Sequence, residues 1–321
     1  MALETIIYHA GALGDFITIL PALKLWKMHN PRNRTVFLGR RAHGELGIQN
    51  GYFNEIWDMD GRDHISLFSS ELSRKDQMRL SVFSSAILFT DPVSPLAHHC
   101  RKAGIPLVSV QEPFPKDRVS KYQYHLSLFP QWLIDETEMM PLLIPPRRGE
   151  SEQIPWFKST APRVAIHPGS GSPLKNWPIE NFLELSDRLT NMGCAVIWLC
   201  GPAEDHLRLP ERISCIRNRA LPFLLDVLSM SDLYIGNDSG ISHCAAALDR
   251  CCIILFGASD PEVWRPAGTR IRTVTSSCSS GPCHGMSQTN HRGSSTCLHD
   301  CMRSIPPDSV FAASRDLLMP K

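Results

Sequence analysis

No stretch of this 321-residue chain approaches the roughly 18 uninterrupted apolar residues that a bilayer-crossing helix needs. The amino terminus lacks a basic start, a long apolar run and a small-residue cleavage site, so the expectation is a cytoplasmic protein. An excess of charge of one sign is also missing. The 33 Lys and Arg are matched by 32 Asp and Glu, for a net charge of +1, so there is no global basic field that would draw nucleic acid. Internal repeats and low-complexity tracts are absent. A complete G-x-G-x-x-G is absent too, and no acidic residue stands at a strand end about 20 residues beyond the first glycine turn, which argues against a dehydrogenase.

What is present fits a globular chain with a sizeable core. Hydrophobic residues make up 43% and charged residues 20%. The length suits two domains at roughly 100–200 residues each. Of the 11 cysteines, Cys100, Cys194, Cys200, Cys215, Cys244, Cys251 and Cys252 are scattered through mostly apolar segments and read as small buried hydrophobes.

Two segments open like the first βα unit of a parallel sheet. Thr5–Tyr8 precedes the turn His9–Gly14 and a helical stretch Asp15–His29, with Phe16, Ile19, Leu20, Leu23 and Trp26 at helical spacing. Pro21 inside it predicts a kink or an early first turn. Arg163–Ile166 precedes the loop His167–Trp177 and a helix over Pro178–Met192, closed by Gly193. Strands follow at Ala195–Leu199, Leu233–Ile235 and Cys252–Phe256, with helical stretches at Pro222–Met230, Ile241–Leu248 and Pro306–Leu318. In the first half, strands are expected at Thr35–Leu38, Glu55–Trp57, Ala86–Phe89 and Leu107–Val110. Near-continuous apolar strands alternating with helices predict parallel sheets covered on both faces. The pattern occurs on either side of the Pro-rich stretch Pro141–Pro162, which reads as an interdomain linker. Ligands of such open α/β sheets bind beyond the carboxyl ends of the strands.

Three strand-to-helix loops carry the chemistry. In the first, Gly11 and Gly14 permit a tight turn, and Asp15 falls in the first helical turn, where a carboxylate serves either as a cap or as a reacting group. The second, His167–Trp177, combines Ser170, Gly171 and Ser172 with Lys175, the parts an anionic diphosphate needs, with a flexible surface loop as the alternative; no Ser or Thr follows the lysine, so it is not a Walker A loop. In the third, Gly236–His243, Asp238 or Ser239 can cap the helix, the N–H groups of Ser239 and Gly240 can face a phosphate, and His243 sits at the helix start.

These loops, in this order, resemble glycosyltransferase family 9, the ADP-heptose:lipopolysaccharide heptosyltransferases. The matching text is GALGDFITILPAL (11–23), HPGSGSPLKNWP (167–178), GNDSGISHCAAAL (236–248) and FGASDPEVWRPAG (256–268). The resemblance implies an α/β protein of the GT-B type: two doubly wound Rossmann-like domains facing each other across a cleft. Residues 1–155 would bind the acceptor and 156–305 the nucleotide-sugar donor, with a terminal helix over 306–321 packing back on the first domain. It implies inverting transfer from ADP-heptose to the lipopolysaccharide core with neither cofactor nor catalytic metal. Asp15 matches the general base, and Gly11 and Gly14 its acceptor-side loop. Ser170, Gly171, Lys175, Asp238, Ser239, Gly240 and His243 match the donor site, and Glu204 a ribose contact.

An anionic lipid-linked acceptor calls for basic residues on the first domain and transient contact with the inner face of the membrane. Arg40, Arg41, Arg62, Lys116, Arg118 and Lys121 are the candidates, set against ordinary solvated surface charge. Near the carboxyl end, Cys278, Cys283, Cys297 and Cys301 lie among His284, His291 and His299; a structural zinc, disulfides and reduced thiols are all open readings. The alternatives for the whole chain are a related transferase using another nucleotide sugar and a nucleotide-binding module without transfer. A carboxylate at Asp15 distinguishes a transferase from a mere binder.

Overall fold

The computed structural model describes residues 3–129, 139–145, 154–277 and 301–319. The chain divides into two compact units. Met1–Asp117 and Lys121–Asp135 form the first, Arg118–Ser120 and Glu136–Lys321 the second. The first unit runs β1 (Glu4–His9), α1 (Leu13–His29), β2 (Arg34–Gly39), α2 (Arg41–Gln49), β3 (Glu55–Asp58), α3 (Arg74–Leu80), β4 (Ser85–Phe89), α4 (Pro95–Lys102), β5 (Leu107–Gln111) and α5 (Lys121–Leu126). The second runs β6 (Arg163–His167), α6 (Ile179–Asn191), β7 (Ala195–Cys200), β8 (Cys215–Arg217), α7 (Leu221–Met230), β9 (Leu233–Asn237), α8 (Gly240–Ala247), β10 (Cys252–Phe256), α9 (Pro261–Trp264), β11 (Ile271–Thr275) and α10 (Pro307–Leu318).

Both sheets are parallel throughout, in the orders β3-β2-β1-β4-β5 and β11-β10-β9-β6-β7-β8. In each, the order reverses beside the first strand, between β1 and β4 and between β6 and β9. At such a switch point neighbouring strands send their loops to opposite faces and leave a crevice at the carboxyl ends. All three chemistry-bearing loops follow β1, β6 or β9. The two doubly wound units are thus as the sequence implies.

The apolar runs fill two cores. In the first unit Ile6, Val36, Leu38, Leu67, Leu80, Phe83, Ala86 and Leu88 pack on one another. Phe37 stacks on Phe53 at 4.4 Å, and Phe16 meets Phe37 edge-on at 5.6 Å. In the second, Trp177, Phe182 and Trp198 join Val164, Ile166, Leu233, Ile253 and Leu255. The helix α1 continues through Pro21, which is buried, so no break occurs there. Gly193 follows α6 with φ +92°, a left-handed conformation suited to a residue without Cβ.

On the terminal helix α10, Val310 and Ala313 belong to the core of the second unit, beside Leu185, Leu189 and Ile253. An amphipathic helix lies where its apolar stripe finds a matching one, and α6 offers it. The Pro-rich stretch is anchored at both of its described ends. Leu142 and Leu143 are buried, and their N–H groups both donate to the Ala247 carbonyl, at 2.8 and 2.9 Å. Trp156 is buried as well, its Nε1 donating to the Ala195 carbonyl at 2.8 Å.

Five of the seven scattered cysteines are buried; Cys215 and Cys251 are half-buried, and all seven are free thiols. Cys278, Cys283 and Cys297 lie outside the described residues, while Cys301 is a buried free thiol in the second core. Among the described residues no group of His, Cys, Asp and Glu is arranged to hold a metal ion.

Leu143→Ala removes a fully buried side chain and is expected to destabilise the second unit by about 2–5 kcal/mol. Chemical unfolding checks this; a change under about 0.5 kcal/mol, the scale of a surface substitution, would mean the stretch is an ordinary exposed connector.

Candidate active site

At the carboxyl end of β1 the chain turns through Ala10-Gly11-Ala12 into α1, bringing Asp15 to the third helical position. The Oδ2 atom of Asp15 accepts the Ala12 N–H at 3.1 Å, so the carboxylate does cap the helix. Gly11 is required for this geometry: a Cβ there would lie 2.7 Å from Asp15 Cβ and 2.8 Å from the His9 ring. The other oxygen, Oδ1, accepts from the ammonium of Lys121 at the start of α5. The Lys121 side chain is 2% exposed and that of Asp15 20%. The lysine is therefore sealed in, while the carboxylate keeps a face open.

Three histidines surround this pair. His9 is at the end of β1, His43 on α2 stacks on Phe16 at 4.8 Å, and His125 on α5 lies one turn beyond Lys121. Burial pushes them down to about 3, 4 and 3 respectively, with repulsion from Lys121 adding to the effect on His9 and His125 and from Arg40 on His43. They are neutral at physiological pH. His125 Nδ1 bonds Gln111 Oε1 at 2.9 Å, whereas His125 Nε2 and the Nδ1 atoms of His9 and His43 find no partner among the described residues. Burial pushes the Asp15 carboxyl up, but the Lys121 charge and hydrogen bond, with the Ala12 N–H, outweigh it and hold Asp15 below the usual carboxylate range.

In the second unit the loops after β6 and β9 are tied together. His167 pairs with Gly236 in the ladder, Asn237 Nδ2 donates to the Pro168 carbonyl at 2.7 Å, and the Trp177 N–H donates to Asn237 Oδ1 at 3.0 Å. Asn237 is fully buried and clamps both turns. Lys175 reaches Asp238 Oδ2 at 2.7 Å and lies 5.5 Å from the Trp264 ring centre, with a quarter of its side chain in solvent. Ser239 caps α8, its Oγ accepting from the Ser242 N–H. Gly240 begins that helix and His243 is buried on it. Ser170 shapes its own loop by donating to the Ser172 carbonyl and Asn176 Oδ1, and Gly171 stands in open space.

Glu204 joins the same cluster. It is 5% exposed, its Oε2 accepts the Gly201 N–H at 2.7 Å, and His167 Nε2 is 3.8 Å away. A Cβ at Gly169 would fall 1.8 Å from Glu204 Oε1, so this glycine makes room for the carboxylate beside the second loop. Burial raises the Glu204 carboxyl, but His167 and the Gly201 N–H hold it below its ordinary value.

A family model described as glycosyltransferase family 9 (heptosyltransferase) matches residues 57–292. The chain belongs to that family. The lipopolysaccharide heptosyltransferase 2 of Salmonella typhimurium is 30% identical over 131 residues, a match covering 37% of this chain and 37% of that relative. The matched part thus spans little more than a third of the relative's length. Among solved structures, the family 9 glycosyl transferase from Veillonella parvula aligns over 99% of this chain and 98% of its own, with a TM-score of 0.77 at 16% identity. The ADP-heptose LPS heptosyltransferase II of E. coli aligns over 99% of both chains, with a TM-score of 0.71 at 19% identity. At these identities the two structures show the same fold, the GT-B type.

Of the residues singled out in sequence, Ser170, Gly171, Lys175, Glu204, Asp238, Ser239, Gly240 and His243 gather on the second and third loops and the turn after β7; Asp15, Gly11 and Gly14 form the turn after β1. Lys121 is not a surface charge in a loop but a buried helical residue. Among the other basic candidates, Arg41 pairs with Asp58, Lys116 with Glu112, and Arg118 with Asp260 and Glu262. Sequence reasoning also missed His9, His43 and Asn237. His9 was within reach, since it opens the HAGALGD turn; nothing local marks His43 or Lys121.

The three neutral histidines give a pH dependence. Their folded pKa values lie below that of a free imidazole, so the unfolded chain binds more protons between about pH 6.5 and 4. Stability of the first unit is expected to fall as pH drops through that window, by roughly 1.4 kcal/mol per pH unit for each histidine. Denaturant unfolding at pH 7 and pH 5 measures it; equal stability at both would show that the imidazoles are solvated.

Proposed function

We propose that this chain is an inverting glycosyltransferase that moves a heptose from ADP-heptose to a lipopolysaccharide inner-core acceptor, using Asp15 as general base and no catalytic metal. The observation carrying the proposal is a half-open carboxylate, held ionised and anchored at both oxygens, at the switch point of a unit whose family transfers heptose. Two of its roughly four lone-pair sites are engaged, which leaves room for an acceptor hydroxyl.

In the proposed step the acceptor oxygen attacks the anomeric carbon as its proton passes to Asp15. The bond from that carbon to the diphosphate breaks on the opposite face, and ADP leaves with the electron pair. The charge developing on the diphosphate is met by Lys175, which keeps two of its three donors beyond Asp238, and by the N–H groups at the start of α8. Glu204 and His167, beside the second loop, suit contact with the ribose end of the donor. ADP-heptose as donor is supported by the name of the E. coli structure sharing this fold. No helix among the described residues is long and apolar enough to cross a membrane. In this proposal an acceptor in the inner leaflet is met from the cytoplasmic side by transient surface contact. A related transferase using another nucleotide sugar would share all of this chemistry, and donor competition separates the two.

Asp15→Ala is expected to abolish transfer, read by mass spectrometry with ADP-heptose and truncated core acceptors after exhaustive chelation, while ADP still binds. Loss of ADP affinity together with activity would reduce Asp15 to a structural cap, and a wild-type enzyme silenced by chelation would contradict the metal-free step. Lys175→Ala is expected to weaken ADP on the order of tenfold or more in calorimetric titration, the scale of one lost charge-assisted hydrogen bond. Unchanged affinity would remove Lys175 from the phosphate site.

A further inference from the structure

Lys121 contacts the proposed base through a completely buried ammonium, 106 residues away in sequence. It enters from the first turn of α5, whose main partner helix in the first unit is α1, the helix that carries Asp15. The Phe114 ring centre lies 4.2 Å from its Nζ, so an aromatic face closes one side of the cation. A sealed lysine is costly unless its charge is paired, and Asp15 supplies the counter-charge.

We infer that Lys121 is the positioning residue of the acceptor-side carboxylate: it fixes the rotation of the Asp15 side chain through Oδ1 and keeps that carboxylate ionised. The inference rests on the reading of Asp15 as general base.

The groups facing the pair come from every element around it. They are His9 from β1, Arg40 and His43 from the start of α2, and His125 from α5, with the Ala12 N–H on the second oxygen. The three imidazoles are neutral, as shown above, and Arg40 is exposed to solvent. Lys121 is therefore the sealed cation on Asp15 among the described residues. In its absence the carboxylate would face a shell of neutral rings, and burial alone would draw it towards its protonated form, which cannot accept the acceptor's proton. Its orientation would rest on one backbone N–H. The lysine also weakens Asp15 as a base in the strict sense of proton affinity. It trades that affinity for a carboxylate that is always charged and always aimed the same way, and positioning on this scale governs rate.

The experiment compares pH–rate profiles of wild type, Lys121→Met and Lys121→Arg, with ADP affinity as a control that a role in the second unit would move. Lys121→Met is expected to lower kcat on the order of 10–100-fold with donor KM unchanged. Its acid limb should move up by roughly 1–3 pH units, the span an adjacent cation imposes on an aspartate. Lys121→Arg should keep the limb in place. A folded Lys121→Met with wild-type kcat and an unmoved limb overturns the inference. Should Lys121→Met not fold, the 13C titration of the Asp15 carboxyl in the intact protein decides. A midpoint below that of an ordinary aspartate supports the ion pair, and one at or above it overturns the inference. Asp15→Asn keeps the two failures apart. An active Asp15→Asn defeats the general-base reading itself, whereas an inactive Asp15→Asn beside a wild-type-like Lys121→Met defeats only the role of Lys121.

Discussion

A parallel sheet whose strand order reverses beside its first strand has one place where adjacent loops part company, and both sheets of this protein are built around that place. Between β6 and β9 the consequence is visible in bonds: Asn237, at the end of one strand, holds the backbone of the loop after the other with both ends of its amide. The two Gly/Ser-rich turns come together because the ladder pairs His167 with Gly236 and the amide does the rest. His167, Lys175 and Asp238 lie on the two turns this clamp ties together, so their placement depends on a residue that need not touch a ligand.

The first unit solves a different problem with the same topology. A carboxylate in an apolar turn tends to take up a proton, and the neighbouring rings of His9, His43 and His125 offer no charge to prevent it. A helix N–H helps, but the decisive partner is an ammonium delivered from α5. The cap and the ion pair use different oxygens, so the role of Asp15 as a helix cap and its availability for chemistry are compatible rather than competing. The sequence treats these as alternatives because a spacing pattern cannot show which oxygen is used for what.

Much of the architecture was legible. Hydrophobic strands such as Cys252–Phe256 and Arg163–His167 announce themselves because a strand buried on both faces is apolar at every position. The strand Ile271–Thr275 at one sheet edge and the three-residue Cys215–Arg217 at the other escaped, since an edge strand is short or half-exposed and carries no such run. The helices of the first unit's middle, Arg74–Leu80 and Pro95–Lys102, are brief and surface-lying, with too few turns to establish a period. The loops were found because glycine, serine and charge cluster locally. Lys121 was misread because its meaning depends on a contact 106 residues away, and a lysine after Val119-Ser120 looks like any other surface lysine.

Leu142 and Leu143 hang by their N–H groups from the Ala247 carbonyl, at the foot of the helix that begins beside the proposed phosphate site. A cut within the Pro-rich stretch would therefore sever contacts of the second unit. A fragment starting at Pro155 or later leaves behind two core leucines and uncovers the apolar end of α8. The workable incision lies upstream of Leu142.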